Sequence, residues 1–354
     1  MKVAIVVGPF KTIPPQGYGG TEWVVYYLVK GLKEAGHEPI LFASNDSTVD
    51  CEIVPIVNKA TFFPKRSRDL PLFKQRVKQV NRRAAKKLEK MLPQIDIIHH
   101  HPTVHDLDLD LRKFADFPNV TTMHGPVTFD NMDYFLERKN LNFISISENQ
   151  RNAYPDLNYI ATVYNGEDPS QFPFIKKPQN YVCFLGRFDE EKSPHLAIEL
   201  AIKLGIRIKL AGKIDYSGYR YFRSKVKPHL NHPLVEYLGE LDFKEKVKLI
   251  SHAKCNLHPT YFREPFGLTV IEAAYCGTPT LAISRGSMPE LIEHGKSGML
   301  VEDFIEGFHA ITKCFEMDRE YISKRARKKF NYQNMTKGYI RAYRRAIKIA
   351  EQKN

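Results

Sequence analysis

The sequence has little that would anchor the chain in a membrane, crosslink it or repeat it. Its 354 residues include five cysteines (Cys51, Cys183, Cys255, Cys276 and Cys314), none in a CxxC pair. That pattern speaks against both a disulfide framework and a zinc site. No apolar run approaches the roughly 18 residues needed to span a bilayer. The apolar stretch Val3 to Val7 is too short for the core of a signal peptide and is followed by no cleavage site. It predicts a buried strand, and the chain is expected in the cytoplasm. Internal repeats and low-complexity segments are absent. Hydrophobic residues at 43% and charged residues at 26% exclude a disordered or fibrous chain. At about 150 residues per domain, the length predicts two domains, each able to bury its own core.

Negative charge is also short. Asp and Glu number 40 against 53 Lys and Arg, a formal net charge of +13. Such a surplus suits an anionic partner: nucleic acid, membrane surface or phosphorylated small molecule. It is densest between Lys65 and Lys90, where eleven basic residues face only Asp69 and Glu89. One reading is a solvated amphipathic helix with Phe73, Val77, Val80, Ala84, Leu88 and Met91 facing inward. The other is a docking surface for anionic lipid or polyanion. The first is favoured because Lys-rich composition runs through the whole chain. Aromatic and basic residues do not interleave as a nucleic-acid stacking platform requires.

Strands and helices alternate, which predicts α/β architecture with parallel sheets. Strands are expected at Val3 to Val7, Ile40 to Ala43, Ile95 to Ile98, Val120 to Met123 and Asn142 to Ile146. The Gly-rich turn Gly17 to Gly20 follows the first, with Thr21 placed to cap a helix that Gly36 ends. Pro169, Pro173 and Pro178 then mark a stiff polar connector. A second run has strands at Tyr181 to Leu185, Ile206 to Leu210, Val235 to Leu238, Cys255 to His258 and Thr280 to Ile283. Ser193 is expected to cap its first helix, with Pro194 at the first helical position. The reading is two doubly wound domains, residues 1–170 and 171–335, facing across a cleft, with a basic helix over 336–354 returning to the first. In such sheets ligands bind beyond the carboxyl ends of the strands.

The segment Arg263 to Ala274 is the most informative. Glu264 precedes a helix start whose amides at Phe266, Gly267 and Leu268 offer an anion site, and Glu272 lies in that helix. Five helical residues place Glu272 about 7.5 Å along the axis from Gly267. That is the scale of a nucleoside diphosphate-sugar: hexose at one carboxylate, phosphates at the amides, ribose at the other carboxylate. Gly186 to Lys192 supplies cations directly after a strand, Arg187 as a planar fork and Lys192 as a point charge. Arg187 could alternatively pair with Asp189 or Glu190. His99-His100-His101 with His105-Asp106 could suggest a metal, but adjacent histidines point to opposite faces of a strand.

These motifs together resemble the retaining glycosyltransferases of family four, which have the GT-B fold. The Glu264-to-Glu272 spacing is similar to that family's paired-glutamate signature. Gly19-Gly20 is similar to its Gly-rich loop, His124-Gly125-Pro126 to its active-site histidine, and Ala211-Gly212-Lys213 to a run in its bacterial glucosyltransferases. The resemblance implies His124, Arg187, Lys192 and Glu264 as catalytic residues. It implies Gly19, Gly20, Gly186, Arg187, Lys192, Gly212, Glu264, Phe266, Gly267, Leu268 and Glu272 as the donor-binding set. It further implies a nucleotide-diphospho-sugar donor, UDP-glucose, used without metal or other cofactor. Acceptor recognition falls to loops of the first domain, Gly8 to Gly20 and Thr128 to Arg138. The rival readings are a sugar-nucleotide epimerase and a polyanion-binding protein. Glu272→Ala is expected to weaken donor binding and spare the fold.

Overall fold

The computed structural model describes residues 1–17, 19–60, 71–102, 109–304 and 307–353. Tyr18, the Lys65, Arg66, Arg68 and Asp69 part of the basic stretch, and the His105-Asp106 pair lie outside the described residues. The chain forms two units: Met1–Glu167 with Tyr332–Asn354, and Asp168–Asn331.

In the first unit, seven strands form one sheet. They are β1 (Lys2–Val7), β2 (Glu38–Ser44), β3 (Glu52–Val57), β4 (Ile97–His101), β5 (Asn119–Thr122), β6 (Phe143–Ser145) and β7 (Tyr159–Thr162). Their order is β3-β2-β1-β4-β5-β6-β7, and every pair is parallel. A parallel sheet is covered on both faces, so its central strands read as continuous apolar runs; Val3, Ala4 and Ile5 are fully buried. The second unit has β8 (Tyr181–Leu185), β9 (Arg207–Ala211), β10 (Val235–Tyr237), β11 (Cys255–His258), β12 (Thr280–Ile283) and β13 (Gly298–Val301). Its order, again wholly parallel, is β10-β9-β8-β11-β12-β13. Both units are Rossmann-like and doubly wound, as the alternation predicts. Strand order reverses between β1 and β4 in one sheet and between β8 and β11 in the other. Those two switch points are where an open parallel sheet offers a ligand crevice.

Several local expectations change. Glu167 ends the first unit, and the segment after it is no free polar connector. Phe172 is fully buried against Phe243 and Tyr275, and Arg327 donates to the carbonyls of Pro169 and Phe172. The boundaries therefore fall at 167/168 and 331/332, against 170/171 and 335/336 read from the sequence. The last helix, Tyr332–Glu351, begins at the second of these and packs Met335, Tyr339 and Tyr343 into the first unit. Phe330, expected to pack with them, instead meets Phe266 in the second unit. Thr21 lies inside the first turn of helix Gly20–Glu34, with Gly19 at its N-cap position. Ser193 stands at the expected N-cap, but its hydroxyl donates to the Glu190 carbonyl and caps nothing. Among the described residues, no helix is long and apolar enough to cross a membrane.

Candidate active site

The carboxyl ends of β8 and β11 lie side by side at the switch point of the second sheet. Beyond β8 runs Gly186 to Ser193, and beyond β11 runs Pro259 to Gly267. The first loop is braced from β9. Gly186 donates its amide to the Ala211 carbonyl, and Gly212, at φ 146°, lies against it so closely that a Cβ there would fall 1.7 Å from the Gly186 oxygen. Glycine at 212 is a packing requirement. The second loop is held by Ser287, whose amide donates to the Glu264 carbonyl and whose hydroxyl donates to that of Phe266. Gly267 then takes φ 98°, a left-handed conformation that favours glycine, and opens helix Leu268–Tyr275 with no side chain capping its amides.

These loops bring Lys192 and Glu264 into a direct ion pair, Nζ donating to Oε2. His258, the last residue of β11, stands on the other side, its Nε2 3.8 Å from the same oxygen. Burial alone would push the Glu264 carboxyl up, but Lys192, His258 and Arg187 outweigh it and hold the group below the ordinary carboxylate value. His258 is pushed down to about 4, first by burial and then by Lys192, with Glu264 opposing. The imidazole is therefore neutral near pH 7. Arg187 spreads its fork over Asp189 at 2.8 Å and Glu191 at 2.7 Å. Glu191, four residues on in the same loop, takes the place that the sequence offers to Glu190.

Glu272 projects from the buried side of its helix at 4% exposure. Lys246, on helix Phe243–His252, donates to its Oε1 at 2.6 Å, while Oε2 is buried without a hydrogen-bond partner. A buried carboxylate oxygen without a donor is costly, and a hydroxyl of a bound ligand would satisfy it. The sequence misses Lys246 because only the packing of two helices brings it to Glu272. His258 carries a legible signal, a polar residue at the carboxyl end of a central strand.

Gly19, Gly20 and His124 belong to the first unit. Gly19 and Gly20 begin the helix that follows β1, where an added Gly19 Cβ would meet Pro15 and Glu22. Burial raises the Glu22 carboxyl, against the pull of Lys11 3.8 Å away. His124 follows β5 and bonds His101. His99, His100 and His101 all lie buried within β4, so the strand runs past the Ile98 expected to end it. Among the described residues, no three His, Cys, Asp or Glu side chains are grouped to hold a metal ion.

Known proteins resemble this chain in sequence and fold. The family model for glycosyl transferases group 1 matches residues 167–329, and that for Glycosyltransferase Family 4 matches residues 18–171. Glycogen synthase of Mycobacterium tuberculosis is 23% identical over 331 residues, spanning 81% of this chain and 79% of its own. Sucrose-phosphate synthase of Thermosynechococcus elongatus superposes with a TM-score of 0.77 at 17% identity, covering 98% of this chain and 99% of that one. HepE of Anabaena, crystallised with UDP-glucose, superposes at 0.68 and 17% identity, covering 95% and 97%. At these identities the structural likeness is one of fold.

Proposed function

The chain belongs to the glycosyltransferases of GT-B fold, and on that premise we propose that it transfers glucose from UDP-glucose to an acceptor hydroxyl, with retention of anomeric configuration and without a metal ion. The observation that carries the reading is the Lys192–Glu264–His258 cluster, with Arg187 beside it, at the switch point that also presents the uncapped helix start after Gly267. A carboxylate held ionised there is ready to accept hydrogen bonds from hexose hydroxyls. The unsatisfied Oε2 of Glu272 suits a ribose diol. The UDP-glucose in the Anabaena protein supports a UDP-sugar here.

Positive charge at the leaving group comes from the chain itself. As the anomeric bond breaks, charge builds on the diphosphate. Lys192, Arg187 and the amides of Phe266, Gly267 and Leu268 meet it with donors already in place. To do so, Lys192 turns from Glu264 toward phosphate, and Arg187 exchanges at least one of its acidic partners. Gly186 and Gly212 keep the backbone close beneath the nucleotide. The departing phosphate oxygen accepts the proton of the attacking hydroxyl, so no side chain serves as nucleophile; retaining hydrolases, by contrast, use a pair of carboxyls about 5 Å apart. Gly19, Gly20 and His124 are assigned to the sugar and acceptor side, in the unit we take to bind the acceptor.

The same proposal places the enzyme in the cytoplasm and, against the solvated face that composition favours, assigns its exposed basic helix a peripheral contact with anionic membrane. Helix Pro71–Met91 turns Lys74, Arg76, Lys78, Arg82, Arg83, Lys86, Lys87 and Lys90 to solvent against one acid, Glu89, while Phe73, Val77 and Leu88 face inward. Nucleic acid has no part in it.

A thermal-shift screen of nucleotide-sugars in excess EDTA tests the donor. At a hundred times its dissociation constant, the true ligand stabilises by about 2.7 kcal/mol. UDP-glucose is expected to lead the series, and free UDP is expected to accumulate faster when acceptor is added. Stabilisation or turnover that needs Mg²⁺ overturns the metal-free reading. Interconversion of sugar-nucleotides without acceptor would point to the epimerase.

A further inference from the structure

Behind His124 lies a buried string of polar groups that the proposed transfer chemistry does not use. His99 is fully buried in β4, bonding the Tyr343 hydroxyl through Nδ1 and Thr122 Oγ1 through Nε2, each at 2.7 Å. Thr122 donates its single hydroxyl proton to Tyr339 at 3.3 Å, so toward His99 it can only accept. His99 therefore carries its proton on Nε2, and its bare Nδ1 accepts from Tyr343. His101, two residues on, shares the strand face and packs its ring 3.9 Å from that of His99, centroid to centroid. Its Nδ1 bonds Nε2 of His124 at 2.7 Å, and its own Nε2 is buried with no hydrogen-bond partner. Burial keeps all three rings neutral, pushing His124 down to about 3 and the other two well below their ordinary value.

One proton lies between His101 and His124. If His124 donated it, the neutral His101 would carry its own proton on the partnerless Nε2. A buried N–H without an acceptor is rarer and costlier than a bare lone pair. With His101 as donor, only a lone pair is left unmet.

We propose that His101 is a positioning residue: it donates from Nδ1 to Nε2 of His124 and so fixes His124 as the Nδ1–H tautomer, whose remaining nitrogen is a hydrogen-bond donor to a sugar or acceptor oxygen and not a base. The catalytic consequence rests on the proposed glycosyl transfer; the tautomer itself does not.

The test is long-range proton–nitrogen NMR on the full chain, isotopically labelled at histidine, at neutral pH. Release of UDP from UDP-glucose, with water as acceptor, is measured beside it. Wild-type His124 is expected to show a protonated Nδ1 and a bare Nε2. In His101→Ala that signature is expected to move to Nε2–H. There kcat should fall about tenfold while KM for UDP-glucose stays within about twofold. His101→Asn, whose amide N–H can stand where Nδ1–H stood, should restore both tautomer and kcat, which no general loss of packing would allow. A wild-type His124 protonated on Nε2, or one unmoved in His101→Ala, overturns the proposal. A tautomer change with kcat unaltered overturns the positioning role. Wild-type protein that binds no UDP-glucose in calorimetry overturns the function instead, leaving the NMR result standing.

Discussion

Glu272→Ala removes one half of an ion pair closed inside the second unit, where Lys246 Nζ stands 2.6 Å from Oε1 and the side chains are 18% and 5% exposed. Deleting one member of a buried pair costs about 3–5 kcal/mol, because the survivor keeps its charge and loses its counter-charge. Lys246 retains some solvent, which puts the loss at the lower end, about 3 kcal/mol. In a unit of this size each kcal/mol moves Tm by roughly 2–4 °C. Glu272→Ala is therefore expected to melt roughly 6–12 °C below wild type. Sequence alone predicts that this substitution spares the fold; the lysine on the neighbouring helix reverses that expectation. Glu272→Gln keeps an acceptor for Lys246 and should cost only about 1–2 kcal/mol. It should still raise the Kd for UDP at least about tenfold, since a hydrogen bond to a charged group contributes about 1.5–3 kcal/mol. Replacing both partners, Lys246→Met with Glu272→Leu, should recover the melting point but not the affinity. Scanning calorimetry and titration calorimetry with UDP read the two effects separately. A Glu272→Ala protein melting within about 2 °C of wild type would refute the buried-pair argument. Unchanged UDP affinity in Glu272→Gln would refute the ribose contact.

Lys192→Ala and Arg187→Ala should each lower kcat more than they raise the donor KM, because charge on the leaving diphosphate grows in the transition state; steady-state kinetics showing a change in KM alone would reduce both to ground-state anchors. Acidification should destabilise the second unit. His258, pushed down to about 4 by burial and Lys192, contributes stability that is full above its unfolded value of about 6.5 and is lost as pH falls toward about 4. The lowered Glu264 carboxyl adds a further loss below the ordinary carboxylate value. Urea unfolding against pH measures this, and His258→Gln should flatten the upper part of the slope; stability that rises on acidification contradicts it. Sedimentation with vesicles rich in anionic lipid should carry the protein down at low salt and release it at high salt. Arg82→Glu with Lys86→Glu should abolish the effect, and equal binding to neutral vesicles would sink the membrane role.

The strands legible in the sequence are those with neighbours on both sides, and β10. The three it does not reveal, β3, β7 and β13, are all edge strands. There one side of the ladder is unpaired, so the apolar signal thins. β3 even carries Pro55, which an edge strand tolerates. β4 is half legible: the apolar signal stops at Ile98, while the strand itself runs on through His99 to His101. Their polarity is matched by Thr122 and Tyr343, groups 23 and 244 residues away from His99, which no local pattern contains. The site divides the same way. Glu264, Gly267 and Glu272 lie within one short segment whose spacing can be read directly. Lys192 is legible as a cation after a strand, but its pairing with Glu264 depends on β8 and β11 lying side by side. Lys246 gives no local sign at all.

The return of the chain to its first unit has a consequence for how the molecule is made. The seven-stranded sheet is fully synthesised by Thr162, yet the helix that covers it, Tyr332–Glu351, is translated only after the whole second unit. Until then His99 lacks the Tyr343 hydroxyl, and Val163 has nothing where Gly338 will press against it. The second unit is continuous from Asp168 to Asn331 and has all its residues while the first still waits. Domains usually mature in the order they leave the ribosome. Here the half that is translated first is the half that is completed last, and a nascent chain stalled after Asn331 would display an uncovered apolar sheet face to whatever binds such surfaces.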